Sequence, residues 1–240
     1  MTELTGDGET VEYYPGQLAD ILVPSAPARA VMLLWHGSGP NERDVLRTLA
    51  EALRDARVVV VVPDWNSHNS DGGRAHLLAS LVYARDRVAL RAGLASCVLG
   101  GWSLGASAGL DLLVRPDIVD GWLPSAFVGV AGGYTSSPFS QIGRVRDPPS
   151  VPMAFFHGIK DEIVPISMSR DVVDRLRTLG RAPKFTAIET DHAGVIGTSY
   201  DPQSHRCRPS LQPGPRAAVV TVVSNVLKLL DNEGDVARTR

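Results

Sequence analysis

Six short apolar runs punctuate the chain, at residues 30–35, 58–62, 97–101, 126–131, 152–156 and 185–188. They are rich in Val, Leu and Ile and do not alternate with polar residues, the pattern of strands buried on both faces of a parallel sheet. Between them lie stretches with apolar residues on one helical face. Residues 41–54 carry Val45, Leu46, Leu49, Ala52 and Leu53 at a period near 3.6, with Asn41 as the expected N-cap and Glu42 and Asp44 in the first turn. Residues 74–90 repeat the pattern through Leu77, Leu78, Leu81 and Val88, and residues 169–179 repeat it up to a stop at Gly180. A last helix, 217–230, is apolar on more than one side. This alternation predicts an α/β fold: a mostly parallel sheet with helices on both faces. Two short runs around Pro15-Gly16 predict an antiparallel hairpin at the sheet edge, within an N-terminal section of edge strands, residues 1–28. Residues 132–152 and 193–215 are Gly-, Pro- and Ser-rich and are expected as loops, long enough to be functional. With no repeat and no linker, residues 1–240 are expected to form a single domain.

The sharpest local feature is Gly101-Trp102-Ser103-Leu104-Gly105. It follows a buried run and opens a helical stretch of small residues, Ala106, Ala108 and Gly109. A nucleophile on a sharp strand-to-helix turn needs small residues two places to either side, because the backbones approach closely there. A serine hydroxyl also needs a base, and the base an orienting acid. Both occur just past apolar runs: His157-Gly158-Ile159-Lys160-Asp161-Glu162-Ile163-Val164-Pro165 after 152–156, and Asp191-His192 after 185–188. Ligands bind at that edge of open α/β sheets. Asp161 is favoured as the acid over Glu162 and Asp191, since Asp191 adjoins His192 in sequence and neighbours rarely orient one another. His36 and His157, beside glycines at run ends, read as structural hydrogen-bonding groups. His68, His76 and His205 read as surface residues.

The order Ser103, Asp161, His192 and the His-Gly-x-x-Asp-x-x-Val-Pro string resemble the α/β-hydrolases, in particular the small esterase and dienelactone-hydrolase-like group. The resemblance runs from about Val31 to Leu230. It departs at the nucleophile, where dienelactone hydrolases carry cysteine and this chain has Ser103, which points to ester hydrolysis in general. It implies an α/β-hydrolase fold and a catalytic triad of Ser103, Asp161 and His192. It also implies an oxyanion hole made by the backbone N–H groups of Ser38, in the loop His36-Gly37-Ser38-Gly39, and Leu104. Ser38 itself lacks the glycine spacing of a nucleophile. At the position where many relatives insert a cap domain, this chain has only residues 132–150, enough for a rim. Substrate contacts are expected from Gly37, Trp65, Trp102 and Tyr134. The 193–215 segment, with Tyr200, His205, Arg206 and Arg208, either folds over the site or runs out into solvent.

Composition narrows the rest. Lys and Arg number 24 against 26 Asp and Glu, so the chain has no global field for nucleic acid. Two cysteines 110 positions apart make neither a disulfide framework nor a metal site, and no metal-ligand or dinucleotide-binding spacing occurs. No cofactor and no metal are expected. The polar, acidic start is unlike a secretory leader and no apolar run is long enough for a membrane span, so a cytoplasmic protein is expected. The expected function is a serine carboxylesterase acting on small-molecule esters through an acyl-enzyme. The alternatives are an acyltransferase or thioesterase with the same triad, or a ligand-binding protein that keeps the fold. The sequence carries no sign of the oligomeric state.

Overall fold

A computed structural model describes residues 8–139 and 148–237, with side chains to residue 231. The expected loop at 132–150 therefore falls partly, at 140–147, outside the described residues. Ten strands and five α-helices follow in chain order: β1 Glu9–Tyr14, β2 Gln17–Leu22, β3 Ala30–Trp35, α1 Arg47–Asp55, β4 Val58–Pro63, α2 Arg74–Tyr83, β5 Cys97–Trp102, α3 Leu104–Leu113, β6 Phe127–Val130, β7 Met153–Gly158, α4 Ile166–Thr178, β8 Lys184–Ile188, β9 Thr198–Asp201, β10 Arg206–Pro209 and α5 Pro213–Ala237.

Eight strands form one sheet in the order β1-β2-β4-β3-β5-β6-β7-β8. The β1–β2 hairpin runs antiparallel to β4 at one edge, and every pair from β4 to β8 is parallel. The apolar runs of β3 to β7 are continuous because both faces are covered. Met32, Leu34, Val60, Val62, Val128 and Phe156 pack under α1 and α5, against Leu49, Leu53, Val222 and Val226. Their neighbours Val31, Leu33, Trp35, Val59, Val61, Phe127 and Phe155 point the other way, toward Leu77, Leu81, Leu110, Val173 and Leu176 of α2, α3 and α4. A period of two thus serves two cores at once.

Four details depart from the sequence reading. His76, expected at the surface, is buried on α2 and accepts the Asn66 N–H at Nδ1. Asn41 is not a helix cap: it takes φ 56°, its N–H bonds the Trp65 carbonyl, and a 3-10 turn at Arg43–Leu46 leads into α1. The 74–90 pattern splits into α2 and a wider π-helical turn at Ala84–Ala89. The 193–215 segment is not an irregular loop. It holds a short turn and the β9–β10 hairpin, paired Asp201 with Arg206 through Thr198 with Pro209. Among the described residues no helix is long and apolar enough to cross a membrane.

Candidate active site

Strands β3, β5, β7 and β8 end at one edge of the sheet, and the chemistry-bearing side chains follow those ends. Ser103 sits between β5 and α3 with φ 55° and ψ −121°. This conformation costs a non-glycine residue about 1–3 kcal/mol. The turn holds because Ser103 N–H bonds the Val130 carbonyl at 2.8 Å while Ser103 C=O accepts the Ala106 N–H at 3.1 Å. The flanking glycines answer a steric demand. A Cβ on Gly101 would stand 2.3 Å from the Gly105 backbone, and one on Gly105 2.3 Å from the His36 carbonyl oxygen. Gly105→Ala is therefore expected to lose about 3 kcal/mol of stability, at the upper end of overpacking costs because the obstacle is backbone. A urea melt with an unchanged midpoint would show the strand–helix approach to be softer than its geometry.

His192 joins Ser103 to Asp161. Its Nε2 lies 3.1 Å from Ser103 Oγ and its Nδ1 lies 2.7 Å from Asp161 Oδ2. Because a carboxylate only accepts, Nδ1 carries the proton and Nε2 faces the serine as an acceptor. Trp102 holds His192 from behind. Its Nε1–H donates to the His192 carbonyl at 3.0 Å, and the two rings lie 4.9 Å apart.

Asp161 accepts from four groups. Oδ1 takes the N–H groups of Ile163 and Val164 at 3.0 and 2.8 Å. Oδ2 takes His192 and lies 3.1 Å from His157 Nε2. Burial alone would raise its pKa, but the hydrogen bonds from His157, His192 and Val164 outweigh it and hold the carboxyl well below the usual range.

The third element is the loop after β3. Gly37 passes directly over Ser103: a Cβ there would lie 3.1 Å from Ser103 Cβ and 3.0 Å from the Trp102 ring. His36, fully buried beneath, shapes the loop. Its Nδ1–H donates to the Gly37 carbonyl at 2.9 Å, and Nε2 accepts the N–H groups of Glu42 and Trp65. Burial drives its pKa down to about 3, so it serves as a neutral scaffold. Ser67 completes the support by accepting the Gly39 N–H at 2.9 Å. Leu104 begins α3, so its N–H lies at the positive end of that helix.

No family model matches the sequence, and no curated protein matches it either. The architecture does have solved counterparts. The apo form of esterase 2 from the planctomycete Thermogutta terrifontis superposes with a TM-score of 0.72 at 15% identity, over 95% of each chain. The same esterase phosphorylated by paraoxon gives 0.72 at 16% identity, over 95% of this chain and 94% of that one. TT1662 from Thermus thermophilus gives 0.62 at 17% identity, over 95% and 99%. The fold is that of the α/β-hydrolases.

Within the α/β-hydrolase fold, the residues singled out in the sequence divide into two groups. Ser103, His192, Asp161, Gly37, Ser38 and Leu104 gather at the sheet edge. Trp65 and Tyr134 do not reach it. Trp65 is fully buried and stacks on His36, ring centroids 5.2 Å apart. Tyr134 turns inward at φ 53° and packs edge-on against Phe155, its hydroxyl over Gly129. Trp102 is also mostly buried, between Gly37 and His192. A cleft of about 790 Å³ adjoins His192, between the loop at Glu162 and Ile163 and the hairpin residues Tyr200 and Cys207. Sequence reasoning missed the supports: Ser67, the Trp102 N–H, and Ser169, which bonds His157 at 2.6 Å. Ser67 had a signal, since it follows β4 at the same sheet edge. Ser169 comes from α4 and had none.

Proposed function

We propose that this α/β-hydrolase cleaves carboxylic esters of small molecules, with Ser103 as nucleophile, His192 as base and Asp161 as the acid that orients it. The observation that carries the reading is the unbroken line of contacts from Asp161 through His192 to Ser103, 2.7 and 3.1 Å long, at the open end of a parallel sheet. In the first step Ser103 Oγ bonds to the ester carbon, its proton passes to His192 Nε2, and the carbonyl pair moves onto oxygen. The N–H groups of Ser38 and Leu104 receive that oxyanion. Collapse breaks the C–O bond, and the leaving alkoxide takes the proton from His192. Water, deprotonated by His192, then attacks the acyl-enzyme and releases the acid and free Ser103.

The close passage of Gly37 over Ser103 supports the oxyanion role, because it brings the loop backbone to the place where the charge develops. A short acyl part fits the crowding of Gly37 and Trp102 around the nucleophile. It also agrees with the Thermogutta esterase, whose structures include propionate-bound and butyrate-bound forms. A chain-length series of p-nitrophenyl esters is expected to give the highest kcat/KM at C2–C4. A maximum above C8 would reject the small-ester assignment.

A further inference from the structure

Asp161 is held from behind by a group that the reaction above does not use. His157, the fifth residue of β7, is completely buried, and both its ring nitrogens are engaged. Nδ1 lies 2.6 Å from the hydroxyl of Ser169 on α4. Nε2 lies 2.8 Å from the Val164 carbonyl and 3.1 Å from Asp161 Oδ2. A carbonyl and a carboxylate can only accept, so Nε2 carries the proton, and Ser169 must donate to Nδ1 in the neutral ring. The Nε2–H is directed at Val164 and shared with Asp161. Oδ2 therefore stands between two imidazole donors, His192 in front and His157 behind, while Oδ1 is pinned by two backbone N–H groups.

We propose that His157 is a positioning residue for the triad: its shared Nε2–H locks the Asp161 carboxylate in register with His192 and spreads part of the charge on Oδ2. The inference rests on the esterase reading for its catalytic consequence, but not for its geometry. The arrangement ties three elements together, β7, the acid loop and α4, so the acid cannot rotate without breaking contacts in each. Charge spreading has a separate effect. An Oδ2 that shares its charge with a second donor attracts the His192 imidazolium less strongly, which keeps the base from becoming too basic to release its proton. The titratable groups facing Asp161 are these two histidines. Lys160, Glu162 and Asp191 adjoin them in sequence but lie exposed, where solvent screens them. The Tyr134 hydroxyl lies behind Ser169 and forms no hydrogen bond of ordinary geometry.

The test separates the shared N–H from simple filling of space. His157→Leu fills much of the volume without a donor, whereas His157→Gln returns an N–H close to the Nε2 position. Two quantities are followed: the pKa of His192 by NMR of the free enzyme, and the acid limb of kcat/KM for p-nitrophenyl acetate. His157→Leu is expected to raise both by about one pH unit, the size of shift that loss of one hydrogen bond to a charged neighbour gives. Its kcat is expected to fall more than KM changes, and His157→Gln is expected to bring the limb back toward wild type. Should His157→Leu fail to fold, Ser169→Ala tests the same idea, because it removes the hydroxyl that anchors Nδ1 and so loosens the aim of the Nε2–H, and it is expected to move the limb in the same direction by less.

A variant that melts earlier but keeps the wild-type limb and His192 pKa would reduce His157 to a packing residue and overturn the proposal. So would a His157→Gln that behaves like His157→Leu. The NMR titration does not depend on turnover. If wild type cleaves no ester yet His192 still shifts in His157→Leu, the esterase reading fails while the positioning role stands.

Discussion

Replacing Ser103 with alanine is expected to lower kcat for p-nitrophenyl acetate by about 10⁴–10⁶-fold while leaving the protein folded. The range comes from how such units behave elsewhere: removing the nucleophile of a serine triad disables the whole unit, and a residual rate survives from binding and the oxyanion donors. The fold is expected to survive because the Ser103 side chain makes one hydrogen bond, with His192, and lies outside both cores. The strained turn at φ 55° is held by backbone hydrogen bonds that alanine retains. Labelling by a fluorophosphonate should vanish together with turnover. Ser38→Ala provides the contrast. Ser38 is assigned a role through its main chain, and its hydroxyl only approaches Ser67 Oγ at 3.3 Å, so a loss below about 10-fold is expected. A folded Ser103→Ala enzyme with near wild-type turnover would remove the serine mechanism altogether.

What the sequence revealed, it revealed through sterics and burial. Five of the six parallel strands, β3 to β7, were legible because a doubly covered sheet demands apolar residues at every position, which leaves an unbroken run such as Val58–Pro63; the edge strand β8 is only partly covered and keeps Lys184 and Thr186. The elbow was legible because two backbones meet at Gly101 and Gly105, and nothing larger than hydrogen fits between them. The hairpin β9–β10 was hidden for the opposite reason. Its strands, TSYD and RCRP, are short, mostly polar and stand clear of the main sheet, so no periodicity marks them. The directions of Trp65 and Tyr134 were hidden too. Each follows a strand end, and whether a ring there rises into the cleft or folds beneath depends on one or two backbone angles that composition does not encode. The supports behind Asp161 required α4 to be docked in place. Ser169 is an ordinary helical serine until the fold sets it against His157.

Asp161→Asn is the second large effect, and its cause can be traced atom by atom. Oδ1 accepts two backbone N–H groups, so the amide oxygen of asparagine must take that place. The amide NH₂ is then forced into the position of Oδ2, facing the donors of His192 and His157. His192 escapes the clash by moving its proton to Nε2, and an Nε2–H can no longer accept from Ser103. A kcat loss of about 10⁴-fold is expected, the size found when the acid of another serine triad is changed in this way. Stability should respond with a definite sign. The folded carboxyl titrates below its unfolded value near 4, so its contribution is full above about pH 5 and drains away as the pH falls through the acid range. Asparagine cannot titrate. The gap in unfolding free energy between wild type and Asp161→Asn, measured by urea melts, should therefore be widest at neutral pH and narrow toward pH 3. A gap that is constant with pH, or a kcat loss below 10-fold, would mean that Asp161 does not orient His192 and that the acid must be sought in Glu162 or Asp191.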